Sequence, residues 1–201
     1  MTTVALPPVP QKIGVFGNYF AQPGFNTLVL KEKIMSLSGD SFDIRMKETG
    51  QPIIKVQGKV IGSKKTASDS LTNQHLWTMG REYMHLHTTY ALKDANGAIV
   101  LEVRSGLFTL LGAKATATVT NPNSGRTTVL KLKGNFLDTS GEIVDDSTGA
   151  VVAMIRRKLL NSGELLFGQQ TYEVTVAPGV DMALISALCI CLDEMKNEGC
   201  C

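Results

Sequence analysis

Hydrophobic and polar positions divide this chain into two unequal parts: a long series of short alternating or apolar runs separated by glycine turns, and one stretch near the C-terminus with no polar face. Phe42, Ile44 and Met46 fall on one side of their run, with Asp43, Arg45 and Lys47 on the other. Tyr172, Val174 and Val176 alternate in the same way with Glu173 and Thr175. A period of two is that of a half-buried strand. Between these runs Gly50, Gly97, Gly125 and Gly149 each close a polar turn and open an apolar strand, at 53–56, 99–103, 129–132 and 151–155. Glycine takes a left-handed turn conformation without steric cost, so the pattern predicts hairpins in a meander. Roughly twelve strand-like runs can be read in all.

From Met182 to Leu192 the only polar side chain is Ser186. A helix that is apolar all round is buried all round. Pro178 and Gly179 break the chain before it, and Asp181 stands where a helix asks for an N-cap, so it is read as a cap rather than a catalytic carboxylate. Residues 182–192 rise only about 16 Å, against roughly 30 Å of bilayer hydrocarbon, so the segment does not span a membrane. The expected fold is mainly β: a closed antiparallel barrel around a central C-terminal helix, its interior too wide for strand side chains alone to fill.

Residues 1–12, with Pro7, Pro8 and Pro10, read as a flexible lead-in, residues 13–197 as a single domain and residues 198–201 as a tail. Ile13 to Phe20 is expected to lie extended against the core. Gly50 and Gly125 are 75 residues apart, as are Arg81 and Arg156, while the runs 55–58 and 131–134 are offset by 76. Two related half-barrels, or chance likeness between turn-and-strand sequences, produce such offsets.

The net charge of +2 is too small for a nucleic-acid binder, so any cationic site has to be local. Cys189 and Cys191 read as small buried hydrophobes on one helix rather than a disulfide or metal pair. A reducing compartment fits this usage. No basic segment followed by an apolar run opens the chain and no Asn-x-Ser/Thr acceptor occurs, so an intracellular, cytoplasmic protein is expected, peripheral at the plasma membrane or nuclear.

The run from Thr27 to Phe42, the Gly50 turn leading into residues 54–58, the Leu159-Leu160 region, and the ordered set from Tyr172 through Pro178, Gly179 and Asp181 to Ile185 resemble the LURP-one-related family. That family belongs to the tubby-like C-terminal fold, which includes the phospholipid scramblases. The resemblance runs from about Ile13 to Met195 and implies a twelve-stranded barrel around a central helix. For function it implies only a defence-related role and the phosphoinositide binding of tubby proteins. Nothing extends the C-terminal helix into an anchor, which counts against a scramblase.

Anionic headgroups need convergent donors, and the candidates are Arg156, Lys158, Lys64 and Lys65, the last two placed in a loop from Gly62 to Asn73. Lys131 and Lys133 form another same-face pair; all of these also fit the solvated face of ordinary strands. His85 and His87, with His75, are better read as surface or packing residues than as metal ligands, and Trp77 as core. Asp145-Asp146 reads as a turn. The usual nucleophile-elbow, phosphate-loop, dinucleotide and zinc-protease motifs do not occur, so neither an enzyme nor a cofactor is expected. The terminal Cys200 and Cys201 are a candidate lipidation site, with an exposed oxidisable tail as the alternative. The chain thus reads as a monomeric, non-enzymatic binding module for anionic membrane lipid or for protein partners. The alternative is a scaffold or transcription-associated factor without lipid affinity.

Overall fold

Strand alternation becomes the wall of a barrel. The computed structural model describes residues 5–33, 41–58, 64–82, 89–105, 115–135, 140–157 and 171–197. Its first six strands are β1 (Thr27–Lys33), β2 (Ser41–Met46), β3 (Pro52–Gly58), β4 (Lys65–Asp69), β5 (His75–Glu82) and β6 (Thr89–Asp94). The second six are β7 (Ile99–Ser105), β8 (Ala115–Thr120), β9 (Thr127–Asn135), β10 (Ser140–Asp145), β11 (Val151–Arg157) and β12 (Thr171–Val176). Each strand pairs antiparallel with its sequence neighbours, and β1 pairs with β12 from Thr27 opposite Thr175 to Lys31 opposite Thr171. The ring is closed, so it exposes no strand edge along its length. Phe42, Ile44 and Met46 of β2 point inward as their alternation predicts.

The helix α1 (Met182–Asn197) fills the ring, and residues 182–191 are all buried. Burial continues past the apolar stretch to Met195, because the Tyr172 hydroxyl donates to Asp193 at 2.6 Å and Lys65 meets Glu194 at 3.0 Å inside the wall. Trp77 is fully buried, as expected of a core residue. Among the described residues no helix is long and apolar enough to cross a membrane.

One end of the barrel carries the connections β2–β3, β4–β5, β6–β7, β8–β9 and β10–β11; it is called the hairpin end below. Each of these turns has one left-handed residue: Gly50, Asn73, Gly97, Gly125 and Gly149. Connections at the opposite end lie almost wholly outside the described residues. The paired offsets in the sequence also find their places. The Gly50 turn, β3 and Arg81 of β5 correspond to the Gly125 turn, β9 and Arg156 of β11, six strands on, which is half of the ring.

The N-terminal segment crosses the hairpin end. Ile13 bridges to Val180 and Phe20 to Asp181, and Ile13, Tyr19 and Ala21 are buried. The lead-in expected to be loose is docked over its described part: Val9 N–H donates to the Pro178 carbonyl at 3.0 Å, and Leu6 and Val9 pack against the core. Proline there fixes extended backbone that lies along the Pro178–Gly179 break.

Candidate functional site

The predicted basic residues do not converge. Lys64 is exposed just before β4, but Lys65 is not in a loop: it is the first residue of β4, points inward with Ala67, and is 4% exposed. Its ammonium lies 3.0 Å from the Glu194 carboxylate and 5.5 Å from the centre of the Phe42 ring. This corrects the expected pairing of Lys64 with Lys65. Strand alternation sends neighbours to opposite faces, and an acid on the central helix receives the buried one. Arg156 is exposed on β11, between Ser140 and Glu173 of the flanking strands. Five strand steps separate β11 from β4, about 24 Å of arc at roughly 4.8 Å per strand, so Arg156 and Lys64 stand on different walls. Lys158, Cys200, Cys201, His85 and His87 lie outside the described residues. Lys131 and Lys133 are both exposed, and Lys131 pairs with Asp146 at 2.6 Å.

Asp181 caps α1 as predicted. One carboxylate oxygen accepts from the N–H groups of Ala183 (2.9 Å) and Leu184 (3.2 Å). The other accepts from Val15 (3.0 Å) and Phe16 (2.7 Å), so the same side chain ties the N-terminal segment over the barrel mouth. Burial pushes its carboxyl up to about 6, against the pull of these four N–H groups. Gly14 permits the approach: its φ is +139°, and a Cβ there would stand 2.1 Å from that of Asp181. Pro178 and Gly179, with φ +90°, supply the break that turns the chain into the barrel. Asp145 holds its turn by accepting from the backbone N–H and hydroxyl of Ser147, as the turn reading expects.

Two adjoining clefts, not foreseen from the sequence, lie at the hairpin end. One, of about 520 Å³, runs between Phe16, Tyr19 and the turns that carry Asp69, Asp94 and Asn123. The second, of about 420 Å³, is framed by Phe20, Phe25, Ile53, Leu71 and Met182. Asn18, Tyr19 and Asp69 line both. The Tyr19 hydroxyl donates to one oxygen of Asp69, and the other oxygen accepts from Leu71 N–H, Thr72 N–H and the Thr72 hydroxyl. The bond from Tyr19, then that from Thr72 N–H, hold the Asp69 carboxyl down to about 2. Burial, then Asp69, push the Tyr19 phenol upward. At neutral pH Asp69 is thus held as the anion and Tyr19 as the hydroxyl. His75, at the same mouth, has its Nε2 2.9 Å from the Thr78 hydroxyl. Among the described residues no lysine or arginine lines either cleft. Lys12 sits over the Phe20 ring at 5.2 Å but lines neither. Of the described residues, the large hydrophobic side chains left exposed are Phe25 (55%), Leu71 (80%) and Ile99 (43%), all at this end.

Comparison with known proteins agrees with the family resemblance in the sequence. The family model described as LURP-one-related matches residues 26–193. Protein LURP-one-related 10 of Arabidopsis thaliana is 23% identical over 89% of this chain and 94% of its own. Protein LURP1 is 22% identical over 92% and 91%, and Protein LURP-one-related 15 is 24% identical over 95% and 90%, both from the same plant. An X-ray structure of an Arabidopsis thaliana protein aligns over 92% of this chain and 99% of its own, with 17% identity and a TM-score of 0.41.

Proposed function

We propose, from the premise that this chain belongs to the LURP-one-related family, that it is a non-enzymatic binding module that engages protein partners at the hairpin end of its barrel. One observation carries the reading: the exposed side chains of Phe25, Leu71 and Ile99 all gather at the end that holds the two clefts. Large apolar side chains kept in water beside a concave surface mark a place for a partner. The Tyr19–Asp69 pair supports binding over catalysis, since it fixes charge and hydrogen-bond direction at neutral pH. Docking on anionic headgroups through Arg156, Lys158, Lys64 and Lys65 is the weaker reading. Lys65 is spent on Glu194, and Lys64 and Arg156 are exposed charges on separate walls, each worth little in water.

The test combines two measurements. A photo-crosslinking residue at Leu71 is expected to give discrete protein adducts in cell extract, and one at Lys133 on the outer wall is not. Co-sedimentation with phosphoinositide-containing liposomes is expected to stay at background. Salt-sensitive sedimentation that disappears in the combined Arg156→Ala and Lys158→Ala variant would overturn the protein reading in favour of headgroup docking.

A further inference from the structure

We infer that the two clefts are one bipartite site for a peptide segment that carries a lysine or arginine side chain next to a bulky apolar one. The inference rests on the protein-binding reading above and names the chemistry of the partner. The charge is one-sided: among the described residues the polar cleft presents Asp69 and Asp94 and no lysine or arginine, His75 being its one other ionisable side chain besides Tyr19. Asp69 is held ionised by Tyr19 and Thr72. Asp94 accepts from Asn96 and Ala98 N–H groups, both on Oδ1, which leaves Oδ2 without a partner among the described residues. Two carboxylates in a concavity favour a cation and repel an anionic headgroup or a phosphorylated segment.

The other half is apolar. Phe20, Phe25, Ile53 and Leu71 surround it, and two of them stand more than half exposed at its lips. Such a surface takes up an aromatic or branched aliphatic side chain and is covered in doing so. Tyr19 and Asp69 form the ridge common to both halves. Because their hydroxyl and carboxylate are already bonded to each other, the ridge is set before a ligand arrives and little ordering is lost on binding. Gln74, Asn96 and Asn123 add amide donors and acceptors around the polar cleft, suited to a peptide backbone. Each volume falls within the range of about 300–1,000 Å³ usual for ligand clefts.

Selection from a random-peptide display library on the full chain tests this, followed by anisotropy titration of the enriched peptides and amide-shift mapping at low and moderate salt. Enriched peptides are expected to place Lys or Arg beside Phe, Leu or Trp and to shift the amides of residues 16–20, 69–75 and 94–98. Asp94→Asn keeps the Oδ1 acceptor that holds its turn and should weaken binding about fivefold at low salt, less as salt rises. Leu71→Ser, at a site already 80% exposed, should weaken it about tenfold without disturbing the fold. Enriched peptides that map to the same clefts but are acidic or solely apolar would overturn the cationic–apolar assignment and leave the protein-binding reading standing. If no peptide is enriched, or all map to the outer wall, both fail.

Discussion

Leu188→Asp is the severest test of the filled barrel. Leu188 is fully buried near the middle of α1, so the cost can be built in two steps. Removing the side chain alone, as in Leu188→Ala, takes away its burial and leaves a cavity, about 3–5 kcal/mol. An aspartate at the same place must also give up its charge. Neutralising a carboxyl with an ordinary pKa of about 3.9 at pH 7 costs about 4 kcal/mol, which caps the part of the penalty due to its charge. The total, roughly 7–9 kcal/mol, is comparable with the whole stability of a typical domain, about 5–15 kcal/mol. Leu188→Ala should therefore fold with a lowered urea midpoint, and Leu188→Asp should be largely unfolded by circular dichroism at pH 7. Lowering the pH to 5 cuts the neutralisation cost to about 1.5 kcal/mol, so the aspartate variant should regain stability relative to the parent. Lys133→Thr, on the exposed face of β9, is the surface control and should change stability by less than about 0.5 kcal/mol. A Leu188→Asp protein with a near-parental midpoint at pH 7 would refute the buried central helix.

Two further outcomes follow from the charges. Lys65→Ala should cost about 2–4 kcal/mol in urea unfolding, because it strips an ammonium from the enclosed Glu194, whereas Lys64→Ala should be near neutral; equal effects would remove the inward assignment of Lys65. Asp181 has a folded-state carboxyl pushed up to about 6, above the unfolded value near 3.9, so its contribution is full below pH 4 and is lost as the pH rises through 6. The parent should thus lose up to about 3 kcal/mol across that window from this group, and Asp181→Asn should flatten the slope; parallel pH profiles for the two proteins would refute the assignment.

Much of this architecture is legible in the sequence because it is written in local periods. Period-two runs gave the strands, glycines at turn positions gave the hairpins, and the lack of any polar side on residues 182–192 required a surrounding wall. The capping role of Asp181 was legible for the same reason, but its hold on Val15 and Phe16 was not, since those partners lie 165 and 166 residues away. Lys65 was misplaced because β4 is polar on both faces: Lys65 and Ala67 point inward, while Thr66 and Ser68 give no apolar contrast. The inward-facing ammonium of Lys65 meets Glu194, which lies on the last element of the chain. The clefts are assembled from four turns and the N-terminal segment, so no contiguous motif encodes them. One signal was present. Leu71 is an apolar residue in the polar turn Ser70-Leu71-Thr72-Asn73, where nothing in the local structure calls for it.

The seam between β1 and β12 and the helix that fills the ring together set an order of events for biosynthesis. The partner of the first strand and the filling of the wall both follow the other eleven strands in the chain. At about 5–20 residues per second, synthesis from the start of β1 at Thr27 to the start of α1 at Met182 takes roughly 8–31 s, during which the inner face of whatever sheet has formed is open to water. Early hairpins can form in that time, but their apolar face stays exposed until the last strand and helix have left the ribosome. A premature stop before residue 182 would leave a hollow wall with nothing to pack around, a product fit for chaperones and proteases rather than a smaller working domain.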